Sequence, residues 1–387
     1  MYYLDHCGST HLSAEVKAKL EDLIKTDHYG NPTAIHHEAG RHARDLIERA
    51  RYEVAKELAA PTSTVIFTSG ATEANNLVLW GFALRNHGRP CRIIYGSTEH
   101  KSIFDTCQFI GAQGLAMVTE LKVDRAGSLD LNDLEAELKK SVKIPTLVAL
   151  MHINNEIAAR SPIEDISELC RRYGAFYHCD GVQGFVREAV DFSNQTFGSY
   201  VISPHKIYGP KGVGILLLGD GPISPRIVPV LQGGDQEGGR RPGTHNTLAI
   251  AGAGVAVSQH NAQRTSRLKH MKKCEEAFVT TLMSISTRVR LTVPPNRLVP
   301  GIVNFYFENI DAPTLLERLP HVCINRGASC IGASGERYSH VPKALGLPIE
   351  VQANVLRASF GDGVSIEDSK VAAKLIVEAG ETIKNPR

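Results

Sequence analysis

The stretch SPHKIYGPKG, Ser203 to Gly212, decides how the rest of the chain is read. Lys206 follows His205 and lies two residues before Tyr208, and Gly209, Pro210 and Gly212 close the segment as a short rigid loop. An ε-amine held this way can condense with an aldehyde, and partial burial favours its neutral, nucleophilic form. The preceding run FGSYVIS reads as a buried strand, so the loop stands at a strand end, where α/β sheets take their ligands. A solvated lysine in a tight turn is the plain alternative, and motifs elsewhere must decide.

At 387 residues the chain is long for one domain and comfortable for two. A net charge of +2 gives no electrostatic case for direct contact with nucleic acid or a membrane. No apolar run is long enough to span a bilayer, and MYYLDHCGS lacks the regions of a signal peptide, so the cytoplasm is the expected compartment. The 8 cysteines are scattered with no CxxC pair, which argues against a disulfide framework, a zinc knuckle or any other metal site. Most of them, Cys323 included, read as buried fillers.

Ser13 is placed to cap a helix, AEVKAKLEDLIKT, and an amphipathic helix runs to Ala59 before Pro61. Then strands (VIFTSG, CRIIYG, TLVALMHI, AFYHCD, FGSYVIS, LLLG) alternate with helices, which predicts an α/β fold with a mostly parallel sheet covered on both faces. A glycine- and arginine-rich loop, LQGGDQEGGRRPGTHN, leads into a long helix that bridges to a smaller alternating region. There, strands IVNFYF and HVCINR surround the helix APTLLERL. ALGL and IEDSKVAAKLIVEAGETI are read as the closing helices. The expected division is 14–250 for a large domain, and 1–13 with 251–387 for a small one.

Six further motifs gather around the lysine. TSGATEAN, Thr68 to Asn75, passes from strand to glycine turn to helix, so a phosphate could rest on the N–H groups of Ala71 and Thr72; a plain helix cap is an equal reading. Asp180, at the end of AFYHCD with Gln183 three residues on, is costly to bury unless it pairs with a cation such as a protonated ring nitrogen. His100 in STEHKS can stack on a ring and shuttle protons. Asn154 and Asn155 in INNEIA suit either a ligand oxygen or a turn. In RGASCIGASGERYSHVPKAL, Cys330 sits among small residues four positions after Arg326, the setting of a reactive thiol. Arg357, in LRASFG, is a natural partner for a substrate carboxylate.

Read together, Lys206, Asp180, Gln183, His100 and Thr72 resemble the cysteine desulfurases of the NifS/IscS kind, pyridoxal 5'-phosphate enzymes of the class V aminotransferase family and of fold type I. The likeness runs from YLDHCGST through GNPTAIHHEAGR, SGATEANN, HINNEI, HCDGVQ and SPHKIYGPKG to RGASC and LRASF, nearly the whole chain. It implies a Schiff base on Lys206 and pairing of the pyridine nitrogen with Asp180. Gln183 and Asn155 would contact the phenolic oxygen or the substrate, and His100 would stack on the ring. Ala71, Thr72, Ser203 and His205 would hold the phosphate, with Thr244 reaching over from a second subunit of a homodimer. Arg357 would take the carboxylate of L-cysteine, and Cys330 would receive the sulfur as a persulfide for an acceptor protein.

The chain departs from the pattern at GASCIGAS, at Gly238 and at FGDG. Pro342 predicts a late-starting helix after a long mobile loop at about 325–342. The short segment after the last helix points to a specialised sulfur donor, as in the DndA-like branch of DNA phosphorothioation or in tRNA thiolation, over an iron–sulfur housekeeping enzyme. A selenocysteine lyase, or another class V transaminase or lyase without a catalytic thiol, is the alternative.

Overall fold

The computed structural model describes residues 1–26, 29–194, 196–293, 299–326 and 339–383. After a two-residue strand β1 (Tyr2–Tyr3), Ser13 caps α1 (Ala14–Lys25) by accepting from Val16 N, as its hydroxyl before an apolar period requires. Helix α2 (Glu38–Glu57) leads to β2 (Val65–Thr68) and α3 (Ala71–Arg85). Next come β3 (Arg92–Gly96), α4 (Lys101–Ala112), β4 (Met117–Leu121) and α5 (Leu131–Lys139). They are followed by β5 (Thr146–Ala149), α6 (Ile163–Tyr173), β6 (Phe176–Cys179) and α7 (Val182–Arg187). Helix α6 stops at Gly174, which takes φ 68°, a left-handed conformation that glycine adopts without strain. Strand β7 (Ser199–Ile202) feeds a 3₁₀ turn, Pro204–Lys206, and β8 (Gly214–Leu218) returns.

These strands form one sheet in the order β2-β8-β7-β6-β5-β3-β4. From β7 to β4 every pairing is parallel, whereas β8 runs antiparallel to both β7 and β2. The sheet is therefore mixed, and the reversal at β8 has a simple cause. Eleven residues, 203–213, join β7 to β8, and a parallel neighbour would need a crossover of a dozen residues or more, usually a helix. Strands β2, β5, β7 and β8 are buried along their whole length, as a sheet covered on both faces demands.

The long helix α8 (Thr247–Ile285) packs against α1, α2 and the final helix. Beyond it come β9 (Val289–Leu291), β10 (Ile302–Phe307), α9 (Ala312–Glu317), β11 (Val322–Cys323), α10 (His340–Ala344) and α11 (Ile349–Gln352). Strand β12 (Val355–Ser359) and α12 (Ile366–Thr382) complete the described chain. A second, antiparallel sheet runs β12-β10-β9, and β1 pairs in parallel with β11.

Helix ALGL is not observed. α10 ends at Ala344, and Gly346 at φ 67° turns the chain through Leu345 and Leu347. Pro342 lies in the first turn of α10, where a missing N–H is harmless, and Ser339 supplies the cap. Cys323 is only half-buried, because β11 is a two-residue edge strand, whereas Cys7, Cys91, Cys107, Cys170, Cys179 and Cys274 are buried.

Candidate active site

The parallel strands end on one edge of the large sheet, and their following residues converge there. Asp180 comes directly after β6, Lys206 closes the turn after β7, His100 precedes α4 and Asn155 lies beyond β5. They line a cleft of about 510 Å³.

Lys206 Nζ donates to the backbone oxygens of Cys7 and Gly8, each at 2.6 Å. Burial pushes its ammonium down to about 8, so a sizeable neutral fraction exists near physiological pH. Asp180 is buried and its carboxylate is fixed at both oxygens: Oδ1 accepts from Val182 N at 3.1 Å and Oδ2 from Asn75 Nδ2 at 2.8 Å.

Asn75 also donates to Ser102 Oγ at 2.8 Å, and that hydroxyl lies 2.8 Å from His100 Nδ1. Ser102 N donates to the same Nδ1, at 3.2 Å. A backbone N–H cannot accept, so Nδ1 carries its lone pair there and the proton of the neutral ring sits on Nε2. Burial lowers the proton affinity of this imidazole and keeps it neutral.

At the opposite wall, α3 begins behind Gly70, which has no side chain with which to cap it. Thr72 is inside the helix and does not cap it, so the first-turn amides of Ala71 and Thr72 lack a side-chain cap where they line the cleft with Ser203 and His205, an arrangement suited to an anion. His205 Nδ1 lies 3.1 Å from Ser9 Oγ, and burial holds the ring down to about 3, hence neutral. Glu73 keeps its own carboxylate away by accepting from Ser69 N at 2.7 Å and from Arg241 Nε at 2.7 Å.

Asn154 is committed to the turn, accepting from Glu156 N and Ile157 N at 2.8 and 2.9 Å, while Asn155 lines the cleft. Arg357 is also in the lining, with 2% of its surface exposed. Its Nη1 donates to Asn155 O at 3.0 Å, its Nη2 donates to Asp5 at 2.7 Å, and its buried Nε has no partner among the described residues. Gln183 faces the cleft from α7. Thr244 is exposed and does not line the cleft of its own chain. Cys330 lies outside the described residues, as does most of the loop at about 325–342.

Sequence reading missed Asn75, Ser102 and Asp5. Asn75 could have been found as a polar amide on the apolar face of LVLWGF. Asp5 gave no signal, since its partner is 352 positions away.

An aldehyde-accepting amine, a fixed carboxylate, an imidazole and an uncapped helix start suit the four parts of pyridoxal phosphate: aldehyde, ring nitrogen, ring face and phosphate. A site of this class on this sheet defines a pyridoxal-phosphate enzyme of fold type I. The class-V aminotransferase profile matches residues 2–370. Cysteine desulfurase IscS of Dictyoglomus turgidum is 34% identical over 370 residues, covering 95% of this chain and 91% of the relative. Among solved structures, a NifS-like protein superposes with a TM-score of 0.88 at 28% identity, covering 98% of this chain and 99% of that one. SspA in complex with cysteine superposes at 0.79 and 29% identity, covering 93% and 99%. The chain belongs to the class-V aminotransferase family and, within it, to the pyridoxal-phosphate-dependent cysteine desulfurases.

Proposed function

We propose that this chain removes the sulfur of L-cysteine and carries it as a persulfide on Cys330. The observation that carries the reading is Lys206, an amine near 8 in a cleft that also presents Asp180, His100 and Arg357. Pyridoxal phosphate, when bound, supplies an aldehyde for amines and a ring that draws electrons from the substrate. Ala71, Thr72, Ser203 and His205 hold its phosphate, and Asp180 keeps the ring nitrogen protonated. Lys206 Nζ takes and returns a proton, which its lowered affinity allows near neutral pH. His100 stacks on the ring and offers the proton on Nε2. Arg357 receives the substrate carboxylate, with Asn155 beside it and Gln183 on the phenolic oxygen.

The reaction balances as L-cysteine plus the Cys330 thiol giving L-alanine plus the Cys330 persulfide. SspA, solved with cysteine, supports the choice of substrate. On this reading 14–250 hold the cofactor and 1–13 with 251–387 carry the thiol, in a cytoplasmic homodimer that lends Thr244 across. The persulfide passes to an acceptor protein, for iron–sulfur assembly, tRNA thiolation or DNA phosphorothioation. Among the described residues no helix is long and apolar enough to cross a membrane.

Alanine and persulfide formation from L-cysteine, measured on wild type and Cys330→Ala with the visible spectrum recorded, tests this. Both forms should be yellow and only wild type active. Equal alanine production by the two would favour a lyase without a catalytic thiol, and a colourless wild type would remove the cofactor from the argument.

A further inference from the structure

Gln183 and Arg187 stand four residues apart on α7, so their side chains share one face. Both are buried, with 4% of their surfaces exposed. Arg187 Nη1 donates to Gln183 Oε1 at 2.6 Å and to Gln183 O at 3.3 Å. Its Nε donates to Pro300 O at 3.0 Å, and its Nη2 approaches Cys7 Sγ at 3.6 Å. Cys7 Sγ in turn donates to the same Gln183 Oε1 at 3.5 Å.

A carboxamide has two ends of nearly equal shape and opposite hydrogen-bonding sense. A guanidinium has donors only, so the end of Gln183 turned to Arg187 must be the oxygen. The amide nitrogen has no acceptor among the described residues and is the end left to the cleft. Flipping the amide would set its N–H groups against a buried guanidinium, costing a charge-assisted bond and orphaning donors.

We infer that Arg187, seconded by Cys7, is a positioning residue that locks the polarity of Gln183, so that this side chain meets an oxyanion in the cleft as a donor and never as an acceptor. The inference rests on the reading above, in which the oxyanion is the phenolic oxygen of pyridoxal phosphate. Arg187 touches neither cofactor nor substrate. It acts through Gln183, and the lock needs a planar multi-donor group more than a positive charge, which separates Arg from Lys here.

The test uses holoenzyme and the pH titration of its visible band, for wild type, Arg187→Met, Arg187→Lys, Gln183→Ala and the Arg187→Met/Gln183→Ala double variant. Loss of a donor to an oxyanion makes that oxygen more basic, so Gln183→Ala should raise the midpoint by about one pH unit. Arg187→Met should raise it by nearly as much, the double variant no further, and Arg187→Lys to a value in between. Should Arg187→Met fail to fold, the Lys variant decides by the same criterion. An Arg187 that only braces Pro300 would lower the melting temperature and leave the midpoint at the wild-type value, which overturns the inference. A wild type that takes up no pyridoxal phosphate sinks the underlying reading too, whereas a yellow wild type with unmoved variants sinks the inference alone.

Discussion

Lys206 sits where its charge is unwelcome. Its folded value, about 8, lies below the ordinary 10.5, so between these values the unfolded chain binds more protons than the folded one. Stability must therefore rise with pH across that window, and the cost of burying the ammonium is fully present below about 8. In the cofactor-free protein, Lys206→Met should remove this dependence. The stability of wild type relative to the variant is expected to improve by about 3 kcal/mol between pH 8 and 10.5, read from denaturant melts. Parallel pH curves for the two proteins would show that the amine is not desolvated. This residue was legible because its strand, loop glycines and neighbours are contiguous. The clamp of Asp5 on Arg357 was not, because nothing local marks a contact between the two ends of a chain.

The elements place the chemistry through close approaches that leave no spare volume. Gly181 joins β6 to α7, and a Cβ there would stand 1.9 Å from Tyr200 Cζ. The ring cannot yield, since it is fully buried and its hydroxyl is tied to His152 Nδ1 at 3.0 Å and to Gly181 O at 3.2 Å. Gly181→Ala should cost about 3 kcal/mol by chemical denaturation and weaken pyridoxal phosphate uptake, because Asp180 and Gln183 flank the displaced residue. A variant as stable as wild type would mean the turn can move, and with it Asp180. The strands bearing Asp180 and Lys206 could be read because they are continuous apolar runs. β4 could not, for its five residues MVTEL are mostly exposed or half-buried at the sheet's edge, and α4 and α5 on either side went unread with it. The antiparallel sense of β8 was also hidden, being a property of connection length more than of composition.

At the scale of the molecule, the site is assembled from distant parts. Arg357 on β12 is buried at the cleft wall and, among the described residues, its carboxylate partner is Asp5, whose other oxygen accepts from Asn325 Nδ2 at 3.0 Å. Removing one member of such a pair strands the other charge. Asp5→Ala should therefore destabilise the protein by about 3 kcal/mol and raise the KM for L-cysteine, as Arg357 loses its fixed position. A loss below about 1 kcal/mol would show that the guanidinium finds other partners. Fold class and the gathering of Thr72, His100, Asp180, Gln183 and Lys206 in one cleft were readable from motifs along the chain. The hold of the chain's two ends on the site was not, because it depends on pairings between the first ten residues and the last third.

The pairing of β1 with β11 sets Tyr2 against Val322 and Tyr3 against Cys323. During synthesis the first residues leave the ribosome early and wait for a partner strand about 320 residues behind, on the order of half a minute at common elongation rates. Cys7 O and Gly8 O, which receive the Lys206 amine, are delivered by that same late-docking segment. A nascent chain stalled near residue 300 should thus expose residues 2–9 to protease while its large sheet is already resistant. The Lys206 amine of each new molecule then stays unanchored until β11 has been made, so that the cleft is completed only as synthesis draws to its end.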